Sequence, residues 1–257
     1  MNDKIYNLEN KVAAITGSSR GIGFAIAEEF LKNGATVVIS SRTESVVKET
    51  IGVLTKSAVS SNIAGHVLDV RSRPSVESFF KFIEDKFGAL DVLVNNAGVY
   101  RHTPAEFVSD HEWREVIDTN LFGTFLCSQC AFSLLKKKGG GSIINISSQA
   151  GRSGRVKGAH YNSSKAGVIG FTQGLAREWG KYNININAIA PGFIATEQAI
   201  KTTAEVSMPL EAHRNQTVIG RLGLPRDVAG LALFLSSDAA KFITGQTFLI
   251  NGGSLII

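Results

Sequence analysis

The chain has 257 residues, 44% of them hydrophobic, and its 27 basic and 22 acidic side chains leave a net charge of +5. That composition supports a sizeable core and excludes a disordered or low-complexity chain. The longest apolar runs, such as Val37-Val38-Ile39, fall far short of the ~18 residues that span a bilayer, and the first ten residues lack a signal-peptide stretch, so a cytoplasmic protein with no membrane partner is expected.

The first predicted strand, Val12–Thr16, runs into Thr16-Gly17-Ser18-Ser19-Arg20-Gly21-Ile22-Gly23, which opens a helix over Ile22–Asn33. Strand, glycine-rich turn and helix in that order suit a dinucleotide. Gly17 permits the tight turn, Gly21 lets the backbone approach a pyrophosphate, and Gly23 lets helix and strand pack closely. The helix N-terminus adds amide donors and positive potential, and Ser19 and Ile22 complete the expected contacts. Gly34 stops the helix. The second strand, Thr36–Ser40, ends in Ser40-Ser41-Arg42, with no carboxylate for the ribose hydroxyls of NAD. Arg42 and Arg20 instead suit a 2′-phosphate, since a guanidinium presents a planar fork of donors. The expected cofactor is therefore NADP(H).

A helix over Ser45–Lys56 and a strand over Ile63–Asp69 follow; Asp69-Val70 would cap the adenine edge. After a helix over Pro74–Phe87, closed by Gly88, the strand Leu90–Asn95 ends in Asn95-Asn96-Ala97-Gly98, small residues that suit close approach to a cofactor. One long helix is expected over Glu112–Lys137. It carries Cys127 and Cys130, which read as core residues of the buried stretch Thr119–Leu135 rather than a redox pair, and its last turn holds Lys136-Lys137-Lys138, cations that offset the helix macrodipole. A strand over Ser142–Ser147 leads to a helix over His160–Tyr182. There Tyr161 and Lys165 lie at i and i+4, one turn apart on one face, and the ammonium is expected to lower the phenol's pKa.

The strand Ile184–Ala190 ends in Pro191-Gly192. The stretch 196–221 lacks periodicity, contains Pro209, and follows a strand end where sheets of this kind bind ligands, so a mobile lid is expected. A helix over Arg226–Ser236 and a strand over Gln246–Ile250 complete the chain. The alternation predicts an α/β, Rossmann-type, doubly wound seven-stranded parallel sheet with helices on both faces, forming one domain over 1–257. No metal site is expected, and no aromatic interleaving of basic residues suggests nucleic-acid binding.

These motifs resemble the short-chain dehydrogenase/reductase family. The resemblance rests on Thr-Gly-x-x-x-Gly-x-Gly at Thr16–Gly23, Asn-Asn-Ala-Gly at Asn95–Gly98, Asn120 in Asp118-Thr119-Asn120, Ser148, Tyr-x-x-x-Lys at Tyr161 and Lys165, and Pro191-Gly192. It implies that Tyr161 is the proton donor to a substrate oxygen and that Ser148 polarises the carbonyl. Lys165 would lower the phenol's pKa and hold the nicotinamide ribose, and Asn120 would hold a water in a proton relay. It further implies that Ile194 and Thr196 meet the nicotinamide end of the cofactor and that the chain forms a homotetramer through its two long central helices and C-terminal strand. Ser147 is an alternative to Ser148, which the thirteen-residue gap to the tyrosine favours.

The resemblance is strongest to 3-oxoacyl-acyl-carrier-protein reductases, through Gly220–Pro225, Ile243-Thr244-Gly245 and Asn251-Gly252-Gly253. Sugar, polyol and sugar-acid dehydrogenases share much of this, and a catalytically silent NADP(H)-sensing protein is a third possibility. Where carrier-docking reductases often place arginines, this chain has Gly139 and Tyr182, with Lys136–Lys138 and Lys181 nearby. Arg101 and His102, then Gln149, Arg152, Arg155 and Lys157, flank the catalytic positions. They predict a substrate mouth that receives an anion: a carboxylate, a phosphate or an acidic carrier protein.

Overall fold

Short apolar runs rich in β-branched residues form the strands β1 (Val12–Ile15), β2 (Thr36–Ser41), β3 (Ile63–Val67), β4 (Val92–Asn95), β5 (Gly141–Ile146), β6 (Ile184–Pro191) and β7 (Thr247–Ile250). In the computed structural model, which describes residues 6–58, 62–205 and 209–257, they make one seven-stranded sheet in the order β3-β2-β1-β4-β5-β6-β7. Every pairing is parallel. Strand order reverses between β1 and β4, so their carboxyl ends flank the crevice where such sheets bind ligands.

The connecting helices are α1 (Gly21–Lys32), α2 (Glu44–Ala58), α3 (Arg73–Phe87), α4 (Asp110–Ile117), α5 (Gly123–Lys137), α6 (Ala150–Ser153), α7 (Ala159–Trp179), α8 (Glu197–Glu205), α9 (Leu210–Asn215) and α10 (Pro225–Ser236). Both faces of the sheet are covered, which explains why the strands read as continuous rather than alternating apolar runs. Alternate strand residues feed two cores. Ala13, Ile15, Val37 and Ile39 pack with Ile26 and Phe30 of α1 and Val228 and Leu233 of α10. Ala14, Val38 and Leu93 pack on the other face with Phe79 and Ile83 of α3 and Leu126 and Leu134 of α5. Side chains of this size stabilise by about 1.5–3 kcal/mol each when fully buried. Cys127 lies in the second core with Cys130 packed against it, and burial pushes both thiols up. This is the environment of core residues rather than of reactive thiolates.

Two expectations about helices need correction. The predicted continuous helix Glu112–Lys137 is interrupted: α4 passes into a π-helical turn, Asp118–Phe122, before α5 begins. Such a turn widens the helix locally and is frequent at functional sites; here it carries Asn120. Hydropathy periodicity does not reveal it, because Val116 before it and Leu126 after it remain buried. The aperiodic stretch 196–221 contains two short helices, α8 and α9. Residues 206–208 of that stretch lie outside the described residues. Among the described residues, no helix is long and apolar enough to cross a membrane.

Candidate active site

The turn between β1 and α1 is stitched to the end of β4. Thr16 Oγ1 accepts from the amides of Asn96 and Ala97, both at 2.9 Å. Asn96 Nδ2 donates to the carbonyls of Thr16 (3.0 Å) and Gly17 (2.9 Å). Buried Ser18 and Ser40 tie the same turn to β2: the Ser40 amide donates to Ser18 Oγ at 2.9 Å, and the Gly17 amide donates to Ser40 Oγ at 3.2 Å. The glycines are required by space as well as by conformation. Gly17 has φ +61, and a Cβ there would lie 2.9 Å from Ala97 Cα. A Cβ on Gly23 would meet Asn96 Nδ2 and lie 2.6 Å from the Gly17 carbonyl.

The N-terminus of α1 opens at this turn with Arg20 at the N-cap. No side chain caps it, and no acidic residue occupies its first turn. Its free amides therefore fit an anion such as a pyrophosphate. Ser19 is half-buried and Ile22 lies in the first helical turn. Arg20 and Arg42 are exposed, and neither forms an ion pair among the described residues. Ser41 closes β2 beside Arg42. Asp69, a carboxylate whose pKa Arg42 influences, is gripped by Arg71 at 3.0 and 2.7 Å. That pair, with a smaller contribution from Arg42, holds the Asp69 carboxyl below its usual range. Val70 is buried against Gly123 at the start of α5.

On the far side, Pro191 ends β6. The Gly192 amide donates to the Ile250 carbonyl at 3.1 Å, and a Cβ on Gly192 would lie 2.8 Å from Asn251 Cβ. Ile194 is buried and bridges to Gly223. Thr196 faces Gly21, so the segment after β6 closes over the glycine turn. The residues expected at the cofactor thus border one crevice at the switch point.

The π turn sets Asn120 against α7. Leu121 fills the space left by the missing side chain of Gly167, and Asn120 Nδ2 donates to Ser164 Oγ at 3.0 Å. The same amide clamps the backbone of Val99, donating to its carbonyl (2.9 Å) and accepting from its N–H (2.8 Å). A Cβ on Gly98 would sit 3.2 Å from Asn120 Oδ1 and 3.5 Å from Lys165 Nζ, so these two groups converge on Gly98. The side-chain amide of Asn120 is thus engaged by protein groups.

Lys165 is 5% exposed, and its Nζ donates to the Ile146 carbonyl at 2.8 Å. Burial lowers its pKa to about 8. Ser147 is buried and its hydroxyl donates to the Lys165 carbonyl at 2.8 Å, which leaves Ser148 as the serine facing the site. Ser148 stands close enough to the Tyr161 phenol to pull its pKa down, and its hydroxyl accepts from the Ala150 amide at 3.1 Å. The expected depression of the Tyr161 pKa by Lys165 does not hold in this state. Burial pushes the phenol up, while Ser148 and the charge of Arg155 pull it partly back. Lys165 Nζ lies 5.8 Å from the Tyr161 ring centre and gives its hydrogen bond to a carbonyl instead. His160, fully buried beside Tyr161, places Nε2 3.1 Å from Glu112 Oε1 and seats the start of α7 on α4.

Two residues expected to receive a substrate anion are otherwise engaged. Arg101 turns away to Glu115, with contacts of 2.8, 3.0 and 3.1 Å. Gln149 Oε1 accepts from Ser254 Oγ at 2.8 Å and so ties the C-terminal segment to the site. Arg152 and Arg155 remain exposed and outside any ion pair among the described residues. Sequence reasoning missed two neighbours. Tyr100 sets its ring edge-on to Tyr161 at 5.0 Å, with the Arg155 guanidinium 5.3 Å from its centre. His213, on α9, stacks on Phe193 at 4.0 Å. Tyr100 follows Asn-Asn-Ala-Gly by one residue and could have been suspected; His213 carried no local signal.

Comparison with known proteins agrees with this geometry. A family model described as enoyl-(acyl carrier protein) reductase matches residues 17–254. The chain is 40% identical to the 3-oxoacyl-acyl-carrier-protein reductase of Vibrio cholerae, over 98% of this chain and 100% of that protein. It is 36% identical to a 3alpha-hydroxysteroid dehydrogenase of Mediterraneibacter gnavus, over 96% and 98%. Among solved structures, a candidate gluconate dehydrogenase from Agrobacterium tumefaciens superposes with a TM-score of 0.91 at 32% identity, covering 98% of this chain and 99% of that one. A candidate short-chain alcohol dehydrogenase from Sinorhizobium meliloti gives 0.90 at 35% identity, covering 97% and 98%. The chain belongs to the short-chain dehydrogenase/reductase family, oxidoreductases that act on CH–OH groups with a nicotinamide cofactor.

Proposed function

We propose that this protein reduces a ketone to a secondary alcohol with NADPH, in the manner of a 3-oxoacyl-acyl-carrier-protein reductase. The observation that carries the reading is the grouping of Ser148, whose hydroxyl acts on the Tyr161 phenol, with buried Lys165, whose Nζ lies 5.8 Å from the Tyr161 ring centre. A phenol whose pKa is raised is fully protonated at neutral pH, the form needed to give a proton to a developing alkoxide. Ser148 would donate to the same oxygen and stabilise the charge that builds there. Lys165, held by a single carbonyl, has donors left for ribose hydroxyls. Asn120 would act by tying the Val99 backbone to Ser164 of α7.

The residues present fit a dinucleotide. The uncapped start of α1 would hold the pyrophosphate, with Gly17, Ser19, Gly21, Ile22 and Gly23 giving it room. Asp69, Val70, Asn96, Ala97 and Gly98 would line the adenine and ribose side; Pro191, Gly192, Ile194 and Thr196 would line the nicotinamide side. Arg20 and Arg42, unpaired while Asp69 is held by Arg71, favour the 2′-phosphate of NADP(H). When bound, that cofactor supplies the hydride.

A homotetramer is part of the same proposal. Phe242, Ile256 and Ile257 are exposed apolar residues near or at the C-terminus, where relatives pair. Docking of an acidic carrier has weaker support. Lys137 and Lys138 lie near Glu84 and Asp91, and Lys136 and Lys181 both stand over the Tyr182 ring, at 4.8 and 5.2 Å. A sugar-acid dehydrogenase is the second reading, favoured by the unpaired Arg155 near Tyr161. The test is NADPH oxidation with acetoacetyl thioesters beside keto-sugars and keto-acids. Turnover of the thioesters above the others supports the first reading and preference for the keto-acids the second. NADPH binding with no turnover of any carbonyl overturns both.

A further inference from the structure

Beyond the catalytic pair, the mouth of the site holds polar groups with no partner. The loop after α6 is anchored on both sides: Asn162 Nδ2 donates to the Arg155 carbonyl at 2.9 Å, and the Thr103 amide donates to the Lys157 carbonyl at 2.9 Å. This fixes the backbone that carries Arg155. Its guanidinium lies over Tyr100, which touches Tyr161, so one aromatic ring separates it from the phenol. Its charge is also felt by His102 and His213. One guanidinium is therefore central to groups from four segments: Tyr100 and His102, Tyr161, its own loop, and α9.

The other group of interest is His213 on α9, stacked on Phe193 and near enough to feel the charge of Arg155. It is 7% exposed, and its Nε2 is buried with no hydrogen-bond partner. Buried polar atoms in native folds are as a rule hydrogen-bonded, so this nitrogen has a hydrogen-bonding position to offer. The ring is held in place by its stack on Phe193. Carboxylates that could neutralise this mouth are engaged elsewhere: Glu115 by Arg101, Glu211 by Arg214, and Glu112 beside His160. Among the described residues, no carboxylate lies within ion-pair distance of Arg152, Arg155, Lys157 or His213.

We infer that Arg155 and His213 form an anion subsite that binds the carboxylate of a compact oxo acid, with the ketone of the same molecule at Tyr161 and Ser148. A guanidinium and an imidazole N–H are matched to the two oxygens of a carboxylate. The closeness of Arg155 to Tyr161 favours a short molecule. The phosphate at the end of a pantetheine arm lies many bonds from its thioester carbonyl, whereas Arg155 stands one ring from the phenol. The inference rests on the reading of Ser148 and Tyr161 as the carbonyl-binding pair, and it goes further by naming the substrate class.

The experiment uses straight-chain oxo acids from acetoacetate to 6-oxoheptanoate, each beside its methyl ester, with acetoacetyl-CoA as a third arm. kcat/KM is measured for the wild type, Arg155→Gln, Arg155→Lys and His213→Gln. At least one acid should exceed its ester by tenfold or more. Arg155→Gln should cut that acid-to-ester ratio about 10- to 100-fold, the range of a charge-assisted hydrogen bond, and Arg155→Lys should keep part of it. Ratios near one throughout, or ratios that Arg155→Gln leaves unmoved, overturn the inference, as does a preference for acetoacetyl-CoA that Arg155→Gln leaves intact. Calorimetric titration of the oxo acids into the NADPH-loaded protein covers the case of no turnover. Binding lost in Arg155→Gln then supports the subsite while the reductase reading fails; binding that is absent or insensitive to Arg155 overturns the subsite.

Discussion

Lys165 should make the cofactor-free protein more stable as the pH rises from 7.5 to 9.5. Burial holds its native pKa near 8, against 10.5 for a free lysine. Below about pH 8 the native state must bury an ammonium, so the depressed pKa is a full penalty there. Between the two values the unfolded chain binds more protons than the native one, and stability climbs with pH. Integrated from pH 7.5 to 9.5, this amounts to about 2 kcal/mol from this one side chain. Tyr161 acts with the opposite sign, because its raised pKa keeps the native state protonated while the unfolded phenol ionises. That loss sets in near pH 10, above the chosen window. The buried thiols also oppose the trend, but equally in any variant that retains them. The assay is therefore a difference: urea unfolding of the wild type and of Lys165→Met at both pH values. The wild type should gain about 2 kcal/mol relative to the variant. A relative change under about 0.5 kcal/mol would refute the claim that Lys165 is held in a strongly desolvated position.

Four further outcomes are expected. Gly23→Ala should lose about 2–4 kcal/mol in urea unfolding, from overpacking and the displaced Asn96 hydrogen bonds, since its Cβ would press on the Gly17 carbonyl and Asn96 Nδ2. Ser148→Ala should lower kcat about 10²- to 10³-fold with little change in melting temperature, its contacts being to the phenol and one amide. Arg42→Ala should raise the KM for NADPH about tenfold or more and leave that for NADH nearly unchanged; equal effects on both would remove the 2′-phosphate assignment. Gly151→Ala should depress kcat more than it alters KM. Its Cβ would lie 2.7–2.9 Å from backbone atoms of Lys165 and Ala166, and the resulting shift of α6 would move Ser148 relative to Tyr161.

The sheet was legible because its strands are buried on both faces, and each apolar run is bounded by turn residues. The candidate catalytic positions Ser148 and Tyr161 could be placed for a different reason: one follows a strand end and the other opens a helix. What escaped was contact between distant segments. The π turn at Asp118–Phe122 conserves the apolar pattern on both sides, so no periodicity argument could detect it. Arg101 looks in sequence like Arg155, a basic residue beside a catalytic motif. Only the fold reveals that Glu115 faces the first and, among the described residues, no carboxylate pairs with the second. His213 sits in a stretch with no period, on a six-residue helix too short to establish one. The i, i+4 spacing of Tyr161 and Lys165 was read correctly as proximity. Its electrostatic consequence was not, because burial, which spacing does not report, dominates both pKa values.

Charge pairing separates the arginines that hold the fold from those available to ligands. Arg71, Arg73, Arg101, Arg214 and Arg221 each face a carboxylate from their own or a neighbouring segment. At exposed sites such pairs contribute little stability, but they neutralise acids that would otherwise repel an anionic ligand. Asp69 and Glu115 are both neutralised in this way. Arg20 and Arg42 at one end, and Arg152 and Arg155 at the other, keep their charge uncompensated among the described residues. Buried Lys165 stands between them. A site so arranged carries excess positive charge before any ligand enters, which the phosphates of a dinucleotide balance at one end and a carboxylate would balance at the other. An uncharged ketone would leave the second imbalance in place. On that ground the charge distribution accords with the carboxylate inferred above at the Arg155 end.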